Sequence, residues 1–187
     1  ERLINFTNRA AENINLKKEK RVLESKLFHS YDIIGQSEPI EKIRHLITKL
    51  SNTESRIFIS GPAGSGKELV ARQIHKQSLR SKKPFVVVNG ALLDPQKYEQ
   101  ELFGSENVNE TINYGFFEQS EDGTLLIDEI SEIPLETQAK ILRVLIDQKF
   151  KRVNGSREIN VHVRIISTSS KNIREEIDKG NFREDLY

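Results

Sequence analysis

The segment "SGPAGSGKE", residues 60–68, constrains the fold of this chain more than any other. Gly61, Gly64 and Gly66 allow the backbone to form a nest of N–H donors, and Lys67 can reach the β- and γ-phosphates of a nucleotide. The segment follows the apolar run "RIFIS" and opens a helical pattern, so the positive end of a helix points at the same place. A chance glycine-rich turn is the alternative, but this context favours a nucleoside triphosphate site.

Short apolar runs rich in β-branched residues alternate with helical patterns along the rest of the chain. Such nearly continuous runs are typical of strands buried on both faces of a parallel sheet. The segment "KFKRVNGSREINVHV" instead predicts a hairpin with Asn154-Gly155 at its tip. We therefore expect a three-layer α/β fold with a mainly parallel sheet. Its predicted strands are 56–60, 85–89, 124–128 and 163–168, and its predicted helices are one capped by Ser37 and those at 67–78, 95–103 and 135–147.

The first 30 residues have a different pattern, with dense charge, no glycine or proline, and apolar residues at an imperfect heptad spacing. This pattern predicts a long amphipathic linker helix. Two interpretations stay open: a solvated helix that packs on its own domain, or a coiled-coil linker that makes a dimer. We thus divide the chain into a linker helix at 1–30 and an α/β domain at 31–187.

Two acidic residues, Asp128 and Glu129, end the apolar run "TLLID" about 60 residues after the glycine loop. An aspartate there can hold Mg²⁺, and a following glutamate can polarise the water that attacks a γ-phosphate. Alone, such a pair is more often a turn or a helix cap. Asn89 ends the intervening strand and could hold the Glu129 carboxylate away from the water, or it could only terminate the strand. Together with the glycine loop, the pair predicts a nucleotide hydrolase.

Composition narrows the function classes further. The chain has no cysteine and four scattered histidines, so we expect any metal to be held by oxygen. A net charge of +1 argues neither for nor against nucleic acid. No apolar run is long enough for a membrane span, and the start lacks the apolar core of a signal peptide, which predicts a soluble, cytoplasmic protein. The absence of methionine and the ending "NFREDLY" suggest a piece of a longer protein.

Several segments together resemble a known family. In order they are "DIIGQSEPI", "GPAGSGKELVARQIH", "PFVVVNGA", "ELFGSE", "FFEQSEDGTLLIDEISEIPLETQAKILRVL", "FKRVNGS" and "GNFREDLY". They resemble the central AAA+ ATPase domain, or sigma-54 interaction domain, of NtrC-type bacterial enhancer-binding proteins, over residues 31–187. The wording "GPAGSGKE" and the altered loop after "ELFGSE" resemble the NtrX-type response regulators within that family. The leading helix then resembles the linker between a receiver domain and the ATPase.

The resemblance implies a role for each candidate residue. ATP and Mg²⁺ would be bound, with Lys67 on the phosphates and Asp128 on the metal. Glu129 would prime the attacking water, with Asn89 as its switch partner, and Arg183 would reach the site of a neighbouring subunit in a ring. Glutamate normally follows the P-loop lysine in this family, so Glu68 is no defect. The implied nucleotide contacts are Ile34, Gly35, Gly61, Pro62, Ala63, Gly64, Ser65, Gly66, Lys67, Glu68 and Leu69.

The chain departs from the family pattern at two places. After Glu106 it reads "NVNETINYG", which is shorter than the family's "GAFTGA" loop and lacks its aromatic-threonine tip. We expect this segment to be a solvated connection between two helices. A divergent contact loop using Ile112 and Tyr114 is the alternative. After the strand 163–168, Ser170 lies where the family has an asparagine sensor, which puts the coupling of hydrolysis to movement in doubt while ATP binding should survive.

Two function classes remain after these observations. In the first, the chain is the nucleotide-dependent oligomerisation module of a two-component regulator that does not activate sigma-54 promoters. In the second, it is a working sigma-54 activator ATPase with an unusual contact loop. The loop sequence favours the first class. An unrelated P-loop kinase is a weaker third option, because no acceptor site is visible.

Under the resemblance, RNA polymerase is a possible partner, DNA would bind through a helix-turn-helix outside this chain, and a histidine kinase would act through a receiver domain outside it. The second ring arginine and the helical lid would also lie beyond Tyr187, so we expect the fragment to be a weak ATPase.

Overall fold

The computed structural model of this chain describes residues 32–106 and 112–187. The chain divides into two units, Glu1–Gln36 and Ser37–Tyr187, and the helices and strands of the described residues belong to the second unit. The predicted linker helix at 1–30 lies outside the described residues.

A parallel sheet of four strands forms the centre of the second unit. Its strands are β1 (Ile57–Ser60), β2 (Phe85–Asn89), β5 (Thr124–Asp128) and β8 (Arg164–Ser169). They lie in the order β1, β8, β5, β2, and every neighbouring pair is parallel. The carboxyl ends of all four strands therefore meet at one edge of the sheet. The predicted strands and the parallel sheet are confirmed.

Helices follow or connect these strands, and both faces of the sheet are covered. The helices are α1 (Glu38–Ser51), α2 (Lys67–Lys76), α3 (Tyr98–Phe103), α4 (Phe116–Gln119), α5 (Leu135–Asp147) and α6 (Ile173–Asp178), with 3₁₀ turns at Ile130–Glu132 and Glu184–Leu186. Leu125 and Ile127 pack in one core cluster with Ile141 of α5. Leu126, which alternates with them, is equally buried, and α2 packs against β5 and β8. Successive strand residues point to opposite faces, so the sheet lies between two layers of helix, as expected.

Two short antiparallel pairs extend from this core. The predicted hairpin is present as β6 (Lys149–Lys151) paired with β7 (Glu158–Asn160), and Asn154 between them has a left-handed φ of 62°. The second pair is β3 (Ser105–Glu106) with β4 (Ile112–Asn113), in which Glu106 lies opposite Ile112. The end of the predicted connection at Ile112–Asn113 is exposed, as expected, but its backbone is also paired as a strand, which was not predicted.

Some boundaries differ from the prediction for local reasons. Helix α3 begins at Tyr98 rather than Pro95. The Asp94 carboxylate accepts a hydrogen bond from the Gln96 N–H at 3.0 Å, and the Asp94 carbonyl accepts one from the Lys97 N–H at 2.8 Å. This turn occupies the residues predicted as the first helical turn. Helix α1 begins after Ser37, as predicted, although the serine side chain makes no capping hydrogen bond.

Candidate functional site

The glycine loop connects the end of β1 to the first turn of α2. Gly64 and Gly66 have φ values of 76° and 86°, which are left-handed and favour glycine. The loop is fastened to the sheet because the Gly61 N–H donates to the Ser169 carbonyl at 3.3 Å. The first residues of α2 thus direct their free N–H groups into the loop, which is the arrangement that binds phosphate.

Lys67, the first residue of α2, is buried with 8% exposure. Its ammonium donates to the carbonyls of Gly61 at 3.0 Å and Pro62 at 3.2 Å. It also lies 3.4 Å from the Glu129 carboxylate. Glu68, which follows, forms a 2.7 Å ion pair with Arg72 one turn further along the helix. The lysine charge therefore lies under the loop, while the adjacent acidic charge is balanced within α2.

Asp128 lies at the carboxyl end of β5, the strand between β2 and β8. The Asn89 amide donates to its Oδ2 at 2.7 Å from β2, and the Thr168 hydroxyl donates to its Oδ1 at 2.5 Å from β8. The pairing of Asn89 with Asp128 in the β2–β5 register produces the first contact. Each carboxylate oxygen keeps a free lone pair, so Asp128 is oriented and still able to bind a cation.

Glu129 has a left-handed backbone, with φ 51° and ψ 52°. Its N–H donates to the Thr168 hydroxyl at 3.1 Å. Its carboxylate oxygen Oε2 accepts two hydrogen bonds from Ser170, one from the backbone N–H at 2.8 Å and one from the hydroxyl at 2.7 Å. Burial raises the pKa of this carboxyl, but the Ser170 hydrogen bonds and the Lys67 charge outweigh burial, and the net pKa is lowered. Glu129 is thus ionised and restrained.

A close approach of backbones fixes this turn. A Cβ atom on Gly90 would lie 2.6 Å from the Glu129 carbonyl oxygen and 3.0 Å from the Ile133 side chain. The Gly90 N–H also donates to the Asp128 carbonyl at 2.8 Å. Only glycine allows β2 to end this close to the turn that carries the two acidic residues.

The structure brings most of the predicted site residues together. Lys67, Asn89, Asp128 and Glu129 are linked by the contacts above. One contact differs from the expectation: Asn89 donates to Asp128 and not to Glu129, because the strand register places it opposite Asp128. Glu129 instead accepts hydrogen bonds from Ser170. The only feature of the sequence that pointed to Ser170 was the serine itself, which stands where the family has an asparagine.

Three other predicted residues belong to other segments of the chain. Ile34 and Gly35 precede helix α1 in the first unit, and their contact with adenine stays a prediction. The Arg183 guanidinium forms two hydrogen bonds with Asp185, at 2.9 and 2.6 Å, and its backbone N–H donates to Gln138 at 3.0 Å. Its predicted role in a neighbouring subunit's site also stays a prediction.

Sequence reasoning missed Thr168, whose hydroxyl contacts both Asp128 and the Glu129 backbone. A threonine in an apolar strand carries no specific signal, because β-branched residues are common there. Its role follows only from the β5–β8 register, in which Ile127 lies opposite Ser167.

The donor set fits Mg²⁺ bound together with a nucleotide. Within residues 32–106 and 112–187, no three His, Cys, Asp or Glu side chains lie together in a way that could hold a metal ion. Mg²⁺ commonly uses one or two carboxylates together with phosphate oxygens and water. Asp128 keeps a free lone pair on each oxygen, and the next residue, Glu129, lies beside the loop lysine, so this end of β5 meets that requirement. In the same ranges no helix combines the length and apolar character that crossing a membrane requires.

The sequence profile of the Sigma-54 interaction domain matches residues 33–187, which is most of the chain. The chain belongs to the sigma-54 interaction domain family. This confirms the family assigned from the motifs. The central parallel sheet, with the glycine loop between β1 and α2, is the AAA+ P-loop arrangement expected for that family.

Three relatives illustrate the similarity. The nitrogen assimilation regulatory protein NtrX of Azorhizobium caulinodans is 44% identical over 188 residues, covering 100% of this chain and 41% of the relative. The DNA-binding transcriptional regulator NtrC of Escherichia coli K12 is 41% identical over 160 residues, covering 83% of this chain and 34% of the relative. Crystal structures of NtrX from Brucella abortus were solved with ADP and with ATP. The ADP complex is 44% identical, with a TM-score of 0.84, covering 99% of this chain and 42% of that one. The ATP complex is 43% identical, with a TM-score of 0.79, covering 94% and 42%. The chain thus spans between about a third and about two fifths of the length of these relatives.

Proposed function

We propose that this chain is the ATP-binding module of a cytoplasmic two-component transcription regulator of the NtrX type. The observation that carries the proposal is the placement of Lys67 beneath the glycine loop and 3.4 Å from Glu129, which directly follows Asp128 at the end of β5. The Brucella abortus NtrX structures with ADP and ATP support the choice of nucleotide. The names of the NtrX and NtrC relatives support a role in transcriptional regulation.

In this proposal each site residue has a distinct task toward ATP. The loop N–H groups and the Lys67 ammonium bind the phosphates, and Asp128 holds Mg²⁺, oriented by Asn89 and Thr168. The Mg²⁺ ion, when bound, neutralises charge on the phosphate oxygens. Glu129 orients the attacking water and accepts its proton. Arg183 of a neighbouring subunit would add the positive charge that stabilises the transferring phosphoryl group.

Assembly and partners follow from the family membership as proposals. The α/β domain forms a ring when nucleotide is bound, and residues 1–30 pair two chains as a coiled coil. In the longer protein, a histidine kinase acts through a receiver domain and DNA binds through a helix-turn-helix. We place the protein in the cytoplasm because those partners are found there.

We further propose that the protein does not activate sigma-54 promoters. Support comes from the β3–β4 register: Glu106 lies opposite Ile112, which leaves only residues 107–111 to connect the paired positions. A connection of that length can extend no more than about 10 Å beyond the pair. The sequence there contains neither a phenylalanine nor the threonine-glycine pair of the "GAFTGA" motif.

One observation favours the alternative, a sigma-54 activator with a divergent contact loop. Ile112 and Tyr114 at the base of this connection are 45% and 62% exposed. Exposed apolar and aromatic side chains close together are common in protein interfaces. Direct measurement of sigma-54 binding by the protein separates the two proposals.

Titration calorimetry tests the nucleotide site itself. Lys67→Ala removes a charge-assisted contact to phosphate, which corresponds to about 1.5–3 kcal/mol and therefore to about a tenfold or greater loss of affinity for ATP with Mg²⁺. The matched control is Lys82→Ala, which removes the same charge from an exposed position on the connection before β2. Equal ATP affinity in the wild-type chain and in Lys67→Ala contradicts the assignment.

A further inference from the structure

The Glu129 carboxylate has polar contacts on both of its oxygens. Oε2 accepts hydrogen bonds from the Ser170 backbone N–H and hydroxyl, at 2.8 and 2.7 Å. Oε1 lies 3.4 Å from the Lys67 ammonium. A carboxylate whose oxygens already face donors is poorly placed to take a proton from water, because that water must compete with the existing hydrogen bonds.

Asn89, the side chain expected to restrain Glu129, is occupied on both of its polar atoms. Its Nδ2 donates to Asp128 at 2.7 Å, and its Oδ1 accepts the Ala91 N–H at 2.9 Å. Both bonds follow from the end of β2, where the chain turns after pairing with β5. The restraint on Glu129 therefore comes from the end of β8 and not from the end of β2.

The backbone of Glu129 is fixed, so only its side chain is free to change position. Its left-handed conformation is held by the hydrogen bond to Thr168 and by the close approach of Gly90. Ser170 is exposed, and its hydroxyl reaches Glu129 from the segment directly after β8. The hydroxyl is thus the part of this arrangement that a small rotation can release without moving the sheet.

We propose that Ser170 is a positioning residue that holds Glu129 in a restrained orientation, from which the carboxylate must be released before it can act on water. This inference rests on the proposed ATP hydrolysis. Ser170 acts through Glu129 and needs no contact with the nucleotide. Because Ser170 directly follows β8, the activity of Glu129 then depends on the position of that strand end. The preceding residue, Ser169, accepts a hydrogen bond from the glycine loop.

Steady-state ATP hydrolysis by three chains tests this role. Ser170→Ala removes the hydroxyl and keeps the N–H, so one of two charge-assisted hydrogen bonds is lost. We expect kcat to rise by about threefold to tenfold with KM unchanged, since part of the restraint disappears and phosphate binding does not. Ser170→Thr restores a hydroxyl and is expected to return kcat toward the wild-type value. Unchanged or lower kcat in Ser170→Ala overturns the proposal.

Amide hydrogen exchange tests the contact independently of turnover. The Ser170 amide is exposed, and Glu129 is its acceptor, so Glu129→Ala is expected to speed exchange of that amide by about tenfold or more. Glu132→Ala, which removes a nearby carboxylate paired with Lys171, is the control and leaves the Ser170 amide unchanged. Equal Ser170 exchange in the wild-type chain and Glu129→Ala overturns the proposal.

Calorimetry separates failure of this inference from failure of the proposed function. A wild-type chain that does not bind ATP contradicts the proposed function. Normal ATP binding combined with no gain of turnover in Ser170→Ala contradicts the restraint alone.

Discussion

At the scale of single residues, His75 is a buried titratable group in the last turn of helix α2. Its Nδ1 lies 2.9 Å from the Thr124 hydroxyl, and its ring packs against Phe85 with centroids 5.0 Å apart. Burial, assisted by the nearby Arg164, Arg72 and Arg80 charges, lowers the pKa of His75 to about 4, against a smaller opposing effect of a backbone hydrogen bond with Lys83. The folded protein therefore holds a neutral imidazole at physiological pH.

This predicts a specific dependence of stability on pH. The unfolded chain binds a proton at His75 below about pH 6.5, whereas the folded chain does so only near pH 4, so the stabilisation is complete above pH 6.5 and is lost between those values. The free energy of unfolding of the wild type should therefore decrease between pH 7 and pH 5. In His75→Asn we expect this decrease to be smaller by about 2 kcal/mol. Urea unfolding at both pH values measures this. The control His45→Asn, at an exposed position of α1, should keep the pH dependence of the wild-type unfolding free energy. The same pH dependence in His75→Asn contradicts the prediction.

The individual site residues were predictable to different degrees. The glycine loop and Lys67 are contiguous in sequence, so their spacing alone predicts that the lysine lies under the loop. Asp128 and Glu129 were predictable because they end a strand. The contacts of Asn89 and Ser170 were not, because each joins segments about 40 residues apart and depends on the register between strands.

At the scale of elements, Arg152 joins the two antiparallel pairs. Its guanidinium binds Glu118 of α4, at 2.9 and 2.5 Å, and Glu106 of β3, at 2.8 Å. The arginine and Glu118 side chains are only 8% and 11% exposed. The Glu106 N–H also donates to the Val153 carbonyl at 3.0 Å, so the base of the β3–β4 pair is attached to the β6–β7 hairpin.

Loss of this buried arginine should destabilise the fold strongly. Arg152→Ala leaves the Glu118 carboxylate buried without its cation, which costs about 3 kcal/mol or more. Lys149→Ala removes one partner of the exposed pair with Glu158 in the same hairpin and should cost at most about 1 kcal/mol. Denaturant unfolding of both variants measures the contrast. Equal losses in the two variants argue against a structural role for the Arg152 contacts.

The elements themselves were largely predictable, and their exceptions have local causes. Buried parallel strands carry a strong signal, so all four strands were found within about one residue. The start of α3 was misplaced by the Asp94 turn, and the β3–β4 pair was missed because two-residue strands have no periodicity to detect. The Arg152 contacts span 34 and 46 residues and leave no local pattern.

At the scale of the whole molecule, ATP hydrolysis should require more than one chain. Arg183 is bound by Asp185 in its own chain, and its proposed target is a neighbouring site. Arginines supplied from a neighbour increase the rate of phosphoryl transfer by about 10³-fold or more. We expect slow turnover per chain that rises with protein concentration. Arg183→Ala should lower kcat without changing ATP affinity, whereas Arg174→Ala, at an exposed position of α6, should not.

Mixing two inactive variants gives a sharper test of the same prediction. Lys67→Ala keeps its arginine, and Arg183→Ala keeps its phosphate site, so a mixed assembly contains composite sites with both groups. Recovery of turnover on mixing is the expected result. Turnover that does not depend on concentration, or no recovery in the mixture, contradicts a role of Arg183 across subunits.

The short connection between β3 and β4 should prevent contact with sigma-54. Coupling of ATP hydrolysis to sigma-54 requires a loop tip that reaches the polymerase. This loop is about four residues shorter than the family's "GAFTGA" loop, so its tip is withdrawn by about 7 Å if each arm loses two residues at about 3.3 Å. The fixed base of the β3–β4 pair, held by Arg152, prevents the shorter loop from recovering that reach by moving outward as a unit.

We therefore expect no binding of sigma-54 by the wild-type protein trapped with ADP and aluminium fluoride. Replacing "NVNETINY" by a "GAFTGA" loop should restore binding, whereas a glycine-serine loop of the same new length should not. Formation of open complexes by the unmodified parent protein with purified sigma-54 polymerase contradicts this prediction and assigns the contact to the exposed Ile112 and Tyr114.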